Sequence, residues 1–231
     1  MIHEAVLLAG GMGTRLQKVL PDLPKPMAPI NGKPFIEYIM DYLIQFNIRK
    51  FILSVGYKQE AFSTHFNNNY KGIPVVFSVE ESQLGTGGGI RKALALAEGP
   101  NILVLNADTM FKLDIFSMYS LHQNVSADIT MGLRKMDDTS RYGSVEIDKN
   151  LNICGFHEKG NNKGCGTING GVYIFKKDIF EKIKMPEKFS LEKDFLEPFY
   201  PSIKIYGYSS NAYFIDIGIP TDYEKAKHEL T

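Results

Sequence analysis

Ala5-Val6-Leu7-Leu8-Ala9-Gly10-Gly11-Met12-Gly13-Thr14-Arg15-Leu16 decides the fold. An uninterrupted apolar run of strand length passes directly into three glycines within four positions, and then an arginine. A continuous apolar strand belongs in a sheet covered on both faces. A glycine turn at its carboxyl end brings bare backbone N–H groups against phosphate oxygens. Two better-known phosphate loops fail here. The dinucleotide pattern G-x-G-x-x-G, begun at Gly11, needs glycine where Leu16 stands. The P-loop, begun at Gly10, needs Gly-Lys where Arg15-Leu16 stand. What remains is a turn ending in Arg15, whose guanidinium grips a polyphosphate in a bidentate fork. The glycines alone would also suit a plain strand-to-helix turn.

Outward from this turn, apolar β-branched runs alternate with segments of helical period. The pattern predicts a helix over 34–46, with Ile36, Ile39, Met40 and Leu43 on one face, and a strand over 51–55. It continues with a helix over 59–66, a strand over 75–79, a helix over 87–97 and a strand over 102–105. Such alternation predicts an α/β fold, a Rossmann-like doubly wound, mostly parallel sheet with its ligands at the strands' carboxyl ends. Beyond Asp128 the texture changes to shorter strands with polar turns, at 129–133, 144–147, 153–157 and 171–175. A helix over 191–195, strands over 203–208 and 212–215, and a helix from Asp222 complete the reading. This part is expected to form a smaller antiparallel portion. There is no repeat, low-complexity tract or linker, so residues 1–231 are expected to make one domain.

Composition narrows the function. With 26 basic and 26 acidic residues, the chain has zero formal net charge and lacks the cationic surface a nucleic-acid binder needs. Cys154 and Cys165 are too few for a disulfide framework or a four-cysteine zinc site, and the five histidines form no metal-binding pattern. An early first strand and the lack of a long apolar run lead us to expect a cytoplasmic protein with no membrane contact.

Four further elements carry chemistry. Prolines on both sides of Lys25 hold the chain extended and aim that lysine. Glu80-Glu81 closes a strand, and Gly85-Thr86-Gly87-Gly88-Gly89 opens the next helix, where bare backbone would let a flat ring lie. Asp108 follows the strand over 102–105, and Asp216 ends a second hydrophobic strand. Two such carboxylates, with phosphate oxygens and waters, suit Mg²⁺.

Together these residues resemble the sugar-1-phosphate nucleotidyltransferases (nucleoside diphosphate sugar pyrophosphorylases). The resemblance rests on residues 8–16, Pro24-Lys25-Pro26, residues 84–89 and Asn106-Ala107-Asp108, followed in order by Phe156-His157-Glu158-Lys159, Asn169-Gly170-Gly171 and Asp216-Ile217-Gly218. It covers essentially the whole chain. Within the family, residues 27–35, Arg141-Tyr142-Gly143, residues 190–195 and 214–223 look most like the D-glycero-D-manno-heptose 1-phosphate guanylyltransferases. The resemblance implies attack by a sugar 1-phosphate oxygen on the α-phosphorus of a nucleoside triphosphate. It divides the chain into a mainly nucleotide-binding part over 1–127 and a mainly sugar-phosphate-binding part over 128–231. It places the nucleotide against Leu8, Ala9, Gly10, Gly11, Gly13, Thr14, Arg15, Lys25, Glu80, Gly85, Thr86 and Asn106. The sugar phosphate falls to Gly143, Glu158, Lys159, Asn169 and Gly170. The catalytic set it implies is Arg15 on the departing pyrophosphate, Lys25 on the α-phosphate, and Asp108 and Asp216 on Mg²⁺.

Base choice follows from hydrogen-bond chemistry. Guanine shows N1–H and a 2-amino group side by side, and one carboxylate accepts from both, so GTP is expected with Glu80 as its reader. Glu81 is the rival position. Mannose 1-phosphate as acceptor, uridylyl transfer to another sugar phosphate, and a catalytically silent nucleotide-sugar sensor remain alternatives. The chain stops soon after its last helix, so the C-terminal β-helix of many relatives, with its acyltransferase activity, is not expected. Apolar faces on the later helices would allow a homodimer.

Overall fold

Four parallel strands frame the molecule, whose computed structural model describes residues 1–11, 22–139, 142–157 and 164–230. The chain runs β1 (Glu4–Leu8), β2 (Pro29–Ile30), β3 (Lys33–Pro34), α1 (Phe35–Ile44), β4 (Lys50–Val55), α2 (Gln59–Phe66), β5 (Asn69–Tyr70) and β6 (Ile73–Val79). It continues through α3 (Gly85–Leu94), β7 (Asn101–Asn106), β8 (Thr109–Phe111), α4 (Ile115–Asn124), β9 (Ile129–Met136), β10 (Ser144–Ile147), β11 (Ile153–His157) and β12 (Gly166–Lys176). A short helix α5 (Ile179–Lys182), a π-helical turn (Leu191–Leu196), α6 (Glu197–Phe199), β13 (Ile205–Ser210), β14 (Phe214–Asp216) and α7 (Pro220–Glu229) follow.

Strands β7, β1, β4 and β6 lie side by side and parallel. β12 joins β7 antiparallel and carries β10 and β9 on, with β13 parallel to β9. The sheet is therefore mixed, mostly parallel in its first half and antiparallel in its second. Side chains alternate between two cores as strand geometry dictates. In β1, Ala5 and Leu7 join the core covered by α1, α2, α4 and α7, while Val6 joins the one under α3 and the π-helical turn. That is why these strands read as continuous apolar runs.

Several boundaries differ from the sequence reading, and Lys25–Met27, expected extended between its prolines, forms a 3-10 turn, which a proline at its second position allows. The strand expected over 171–175 is eleven residues long, and its pairing with β9 shifts register between Asn169 and Tyr173. Gly171 there takes φ +70°, a left-handed conformation glycine adopts freely. The helix expected over 87–97 begins at Gly85, and the final helix begins at Pro220, where a proline costs no intrahelical bond. α4 had no counterpart in the reading, because its polar and apolar residues are mixed around the helix. Its start is nevertheless well marked, since the Asp114 carboxylate accepts from the N–H groups of Phe116 and Ser117.

Candidate functional site

Register brings the strands' carboxyl ends into one row: Asn106 beside Leu8, Leu8 beside Ser54, and Ser54 beside Ser78. Each following loop is pinned to its neighbour's last residues. Ala107 N–H donates to Leu8 O (3.1 Å), Ala9 N–H to Ser54 O (2.8 Å) and Glu80 N–H to Val55 O (2.8 Å). Three strand spacings put Glu80, after β6, roughly 14 Å from Asp108, after β7. A cleft of about 370 Å³ runs along this row.

Of the expected nucleotide contacts, Leu8, Gly10, Gly11, Glu80, Gly85, Thr86 and Asn106 line the cleft. Ala9 does not. It is buried, and its N–H is spent on Ser54, so it offers no backbone donor to a ligand. Gly13, Thr14, Arg15, Glu158 and Lys159 lie outside the described residues. Ser54, Gln83 and Lys188 line the cleft without having been anticipated.

The structure separates the two adjacent glutamates. Glu81 is exposed and off the cleft, whereas Glu80 is half-buried within it. The Glu80 carboxylate accepts from Ser54 Oγ and from Leu84 N–H, both at 3.1 Å. A Cβ at Gly89 would come within 2.7 Å of Glu80 Oε1, and one at Gly10 within 3.0 Å. Those two glycines leave the room the carboxylate occupies. The rest of the glycine run serves a different contact. A Cβ at Gly87 would meet the Phe189 ring at 2.2 Å, and one at Gly88 would meet Glu187 O at 2.6 Å. The bare start of α3 thus receives the 187–190 segment of the chain.

At the other end of the row stands a charged cluster. Lys25 Nζ lies 2.7 Å from Asp108 Oδ2 and 3.1 Å from Asp216 Oδ1, with its side chain only 10% exposed. The ribbon of β8 and β14 explains the meeting, since Asp216 pairs with Thr109 and Ile217 N–H donates to Asp108 O at 3.1 Å. Gly218 N–H donates to Asp216 Oδ1 (2.7 Å), and a Cβ at Gly218 would crowd both that oxygen and Lys25 Nζ. Both carboxylates thus converge on one cation and keep part of their surface open, at 34% and 21%.

A second cavity of about 500 Å³ opens beside the first. Gly143, Asn169 and Gly170, all expected sugar-phosphate contacts, line it, as does Asp216. Aromatic walls come from Tyr142, Phe156, Tyr173 and Phe214, and charge from Glu192, Lys193 and Glu197. Asn106 lines both cavities, and Gly171 leaves its amide space that a Cβ would invade at 2.6 Å. The cavities are also tied by Thr86, whose Oγ1 accepts from Leu191 N–H (2.9 Å) and donates to Glu192 Oε2 (3.2 Å). The π-helical turn carrying Glu192 and Lys193 is capped by Ser190, a local irregularity of the kind found at functional sites. Among the described residues, no helix is long and apolar enough to cross a membrane.

A family model described as nucleotidyl transferase matches residues 4–231. A D-glycero-alpha-D-manno-heptose 1-phosphate guanylyltransferase from Aneurinibacillus thermoaerophilus is 48% identical over 98% of both chains. A protein of the same name from Campylobacter jejuni is 42% identical over 95% of this chain and 96% of its own. The crystal structure of HddC from Yersinia pseudotuberculosis, complexed with GMP-PN, superposes over 100% of both chains with a TM-score of 0.86 and 38% identity.

Proposed function

The chain belongs to the nucleotidyl transferase family, and on that premise we propose that it transfers GMP from GTP to D-glycero-α-D-manno-heptose 1-phosphate, releasing pyrophosphate. The observation that carries the reading is the junction of the two cavities. Asp108 lines one, Asp216 lines the other, and both reach the same Lys25 ammonium. The names of the 48% and 42% identical relatives support the guanylyl and heptose assignments.

The nucleophile, a phosphate monoester oxygen, is already anionic near neutral pH, so the site needs no general base. Its task is to bring two mutually repelling anions into line and hold them there. Gly10 and Gly11 offer backbone to the triphosphate, and Glu80 accepts from the guanine N1–H and 2-amino group. Arg15 neutralises the departing pyrophosphate. Lys25, paired with Asp108 beside the cleft, is assigned to the α-phosphate, where its charge would offset that of the attacked group. Gly143, Asn169 and Gly170 line the sugar cavity, Glu158 accepts from sugar hydroxyls, and Lys159 holds the sugar phosphate. Exposed, unpaired Cys154 and Cys165 fit a reducing cytoplasm.

The donor set suits Mg²⁺. Among the described residues no three His, Cys, Asp or Glu side chains gather as a cage. Mg²⁺ asks for less, being held by one or two carboxylates with substrate phosphates and waters completing its shell. Asp108 and Asp216 would hold it, and it would draw charge from the phosphate oxygens.

The test is pyrophosphate release by the purified chain across GTP, ATP, UTP and CTP, each with heptose, mannose and N-acetylglucosamine 1-phosphates. GTP with the heptose phosphate is expected to give the highest kcat/KM. A preference for UTP, or tight nucleotide binding without turnover on any pair, would overturn the proposal.

A further inference from the structure

Lys188 lines the nucleotide cleft, and among the described residues its ammonium makes no ion pair or hydrogen bond. It is exposed, so nothing about packing requires a lysine there. Its backbone is nevertheless firmly placed. Phe189 N–H donates to Leu84 O at 2.9 Å, and Phe189 O accepts from the N–H groups of Gly87 and Gly88 at 3.1 and 3.3 Å. On the other side, Arg91 donates to Met185 O and Glu187 O, both at 3.0 Å.

Leu84 links this segment to the base-reading carboxylate. Its N–H donates to Glu80 Oε2 and its carbonyl accepts from Phe189. Leu84 therefore ties the backbone next to Lys188 to the Glu80 carboxylate, and both side chains line the same cleft. The two charges do not pair with each other. The cleft thus offers a ligand an acceptor and, separately, a cationic donor.

That division matches guanine. Its N1–H and 2-amino group are donors, and its O6 and N7 are acceptors for which a lysine is a well-suited partner. We propose that Lys188 reads the base, donating to the O6/N7 edge of the guanine that Glu80 holds by its donor edge. This rests on the guanylyltransferase reading above. Adenine would turn its 6-amino donor toward the ammonium, so the contact selects against ATP as well as for GTP. Because Lys188 comes from the second half of the chain, base recognition draws on the segment that leads straight into Ser190, Glu192 and Lys193 of the sugar cavity.

The experiment compares the wild-type chain with Lys188→Met and Lys188→Arg, measuring kcat/KM for GTP, ITP, ATP and UTP with the heptose 1-phosphate. ITP lacks the 2-amino group but keeps O6 and N7. Lys188→Met is expected to lose about tenfold on GTP and on ITP alike, mainly through KM, with ATP and UTP nearly unchanged. Lys188→Arg is expected to recover most of that loss. An equal loss on all four triphosphates would make Lys188 a phosphate contact, and no loss would make it a bystander. Either overturns the proposal. A wild type without GTP preference would overturn the guanylyltransferase reading and the base role with it. A GTP-preferring wild type whose preference survives Lys188→Met would overturn the base role alone.

Discussion

Gly87→Ala sets two effects of opposite sign against each other. Gly87 sits in the first turn of α3, where its φ is not positive, so alanine fits the backbone. Helix propensity alone then predicts a gain of about 1 kcal/mol. The new Cβ, however, would lie 2.2, 2.4 and 2.9 Å from three carbons of the Phe189 ring. That ring cannot easily retreat. It is 2% exposed, packs against Phe180 and Phe195 with centroids at 5.5 and 6.4 Å, and carries the Arg91 guanidinium at 5.3 Å. Overpacking of this kind costs about 1–3 kcal/mol. The balance is a net loss of up to about 2 kcal/mol, or a Tm lower by up to roughly 4–8 °C in a chain of this size. Moving Phe189 also displaces the segment leading from Lys188 to Lys193, which lines both cavities. The KM values for GTP and for the sugar phosphate should therefore rise together. Differential scanning calorimetry and steady-state kinetics on one preparation read both. A higher Tm with both KM values unchanged would refute the argument that the glycine run exists to receive this segment.

Other expectations follow from the same geometry. Glu80→Gln replaces an acceptor with an amide donor facing guanine N1–H or its amino group, and should cut kcat/KM for GTP by about 10- to 100-fold while sparing UTP. An unchanged GTP-to-UTP ratio would return base selection to other residues. Asp108→Ala and Asp216→Ala should each lower kcat by about two to three orders of magnitude in Mg²⁺, with GTP binding by calorimetry retained. Near-normal turnover of either variant would remove that carboxylate from the reaction. His122 is buried, with Nδ1 2.8 Å from Thr130 Oγ1 and Nε2 3.1 Å from Asn101 Oδ1, and burial pushes its pKa down to about 4. The native state disfavours its proton, so its contribution is full above about pH 6.5 and is lost as pH falls toward 4. The slope should reach about 1.4 kcal/mol per pH unit, up to about 3 kcal/mol in all. Urea titrations from pH 7 to pH 4 on wild type and His122→Gln check it, and the same pH dependence in both would reassign the effect to other groups.

What the sequence could show was set by range. The β1 strand, its glycine turn and the aspartate after β7 are local patterns, each fixed by a few neighbouring residues, and they place the cleft. The choice between Glu80 and Glu81 was not local. Glu80, and not Glu81, faces the cleft because of Ser54 and the bare Cα atoms of Gly10 and Gly89, which only the packed sheet brings together. The same holds for Lys188, Glu192 and Glu197, which enter the cavities because the segment around them docks on α3. The spacing of Gly85, Gly87 and Gly88 was the available signal, since a helix start stripped of Cβ atoms implies close approach by something. α4 escaped because its apolar residues do not fall on one stripe, although Asp114 with Ser117 three positions on was a usable cap signal. The convergence of Lys25, Asp108 and Asp216 depends on the β8–β14 ribbon, a contact between distant parts of the chain that no short motif encodes.

The central claim is that the two cavities meet so that a sugar phosphate oxygen attacks the α-phosphorus of GTP. The most direct measurement uses heptose 1-phosphate labelled with heavy oxygen in its phosphate group, GTP and Mg²⁺, with products resolved by ³¹P NMR and mass spectrometry. Attack at the α-phosphorus predicts GDP-heptose that retains all of the label, formed in equal amount with unlabelled pyrophosphate. Label in the pyrophosphate, or GMP in place of the GDP-sugar, would contradict it.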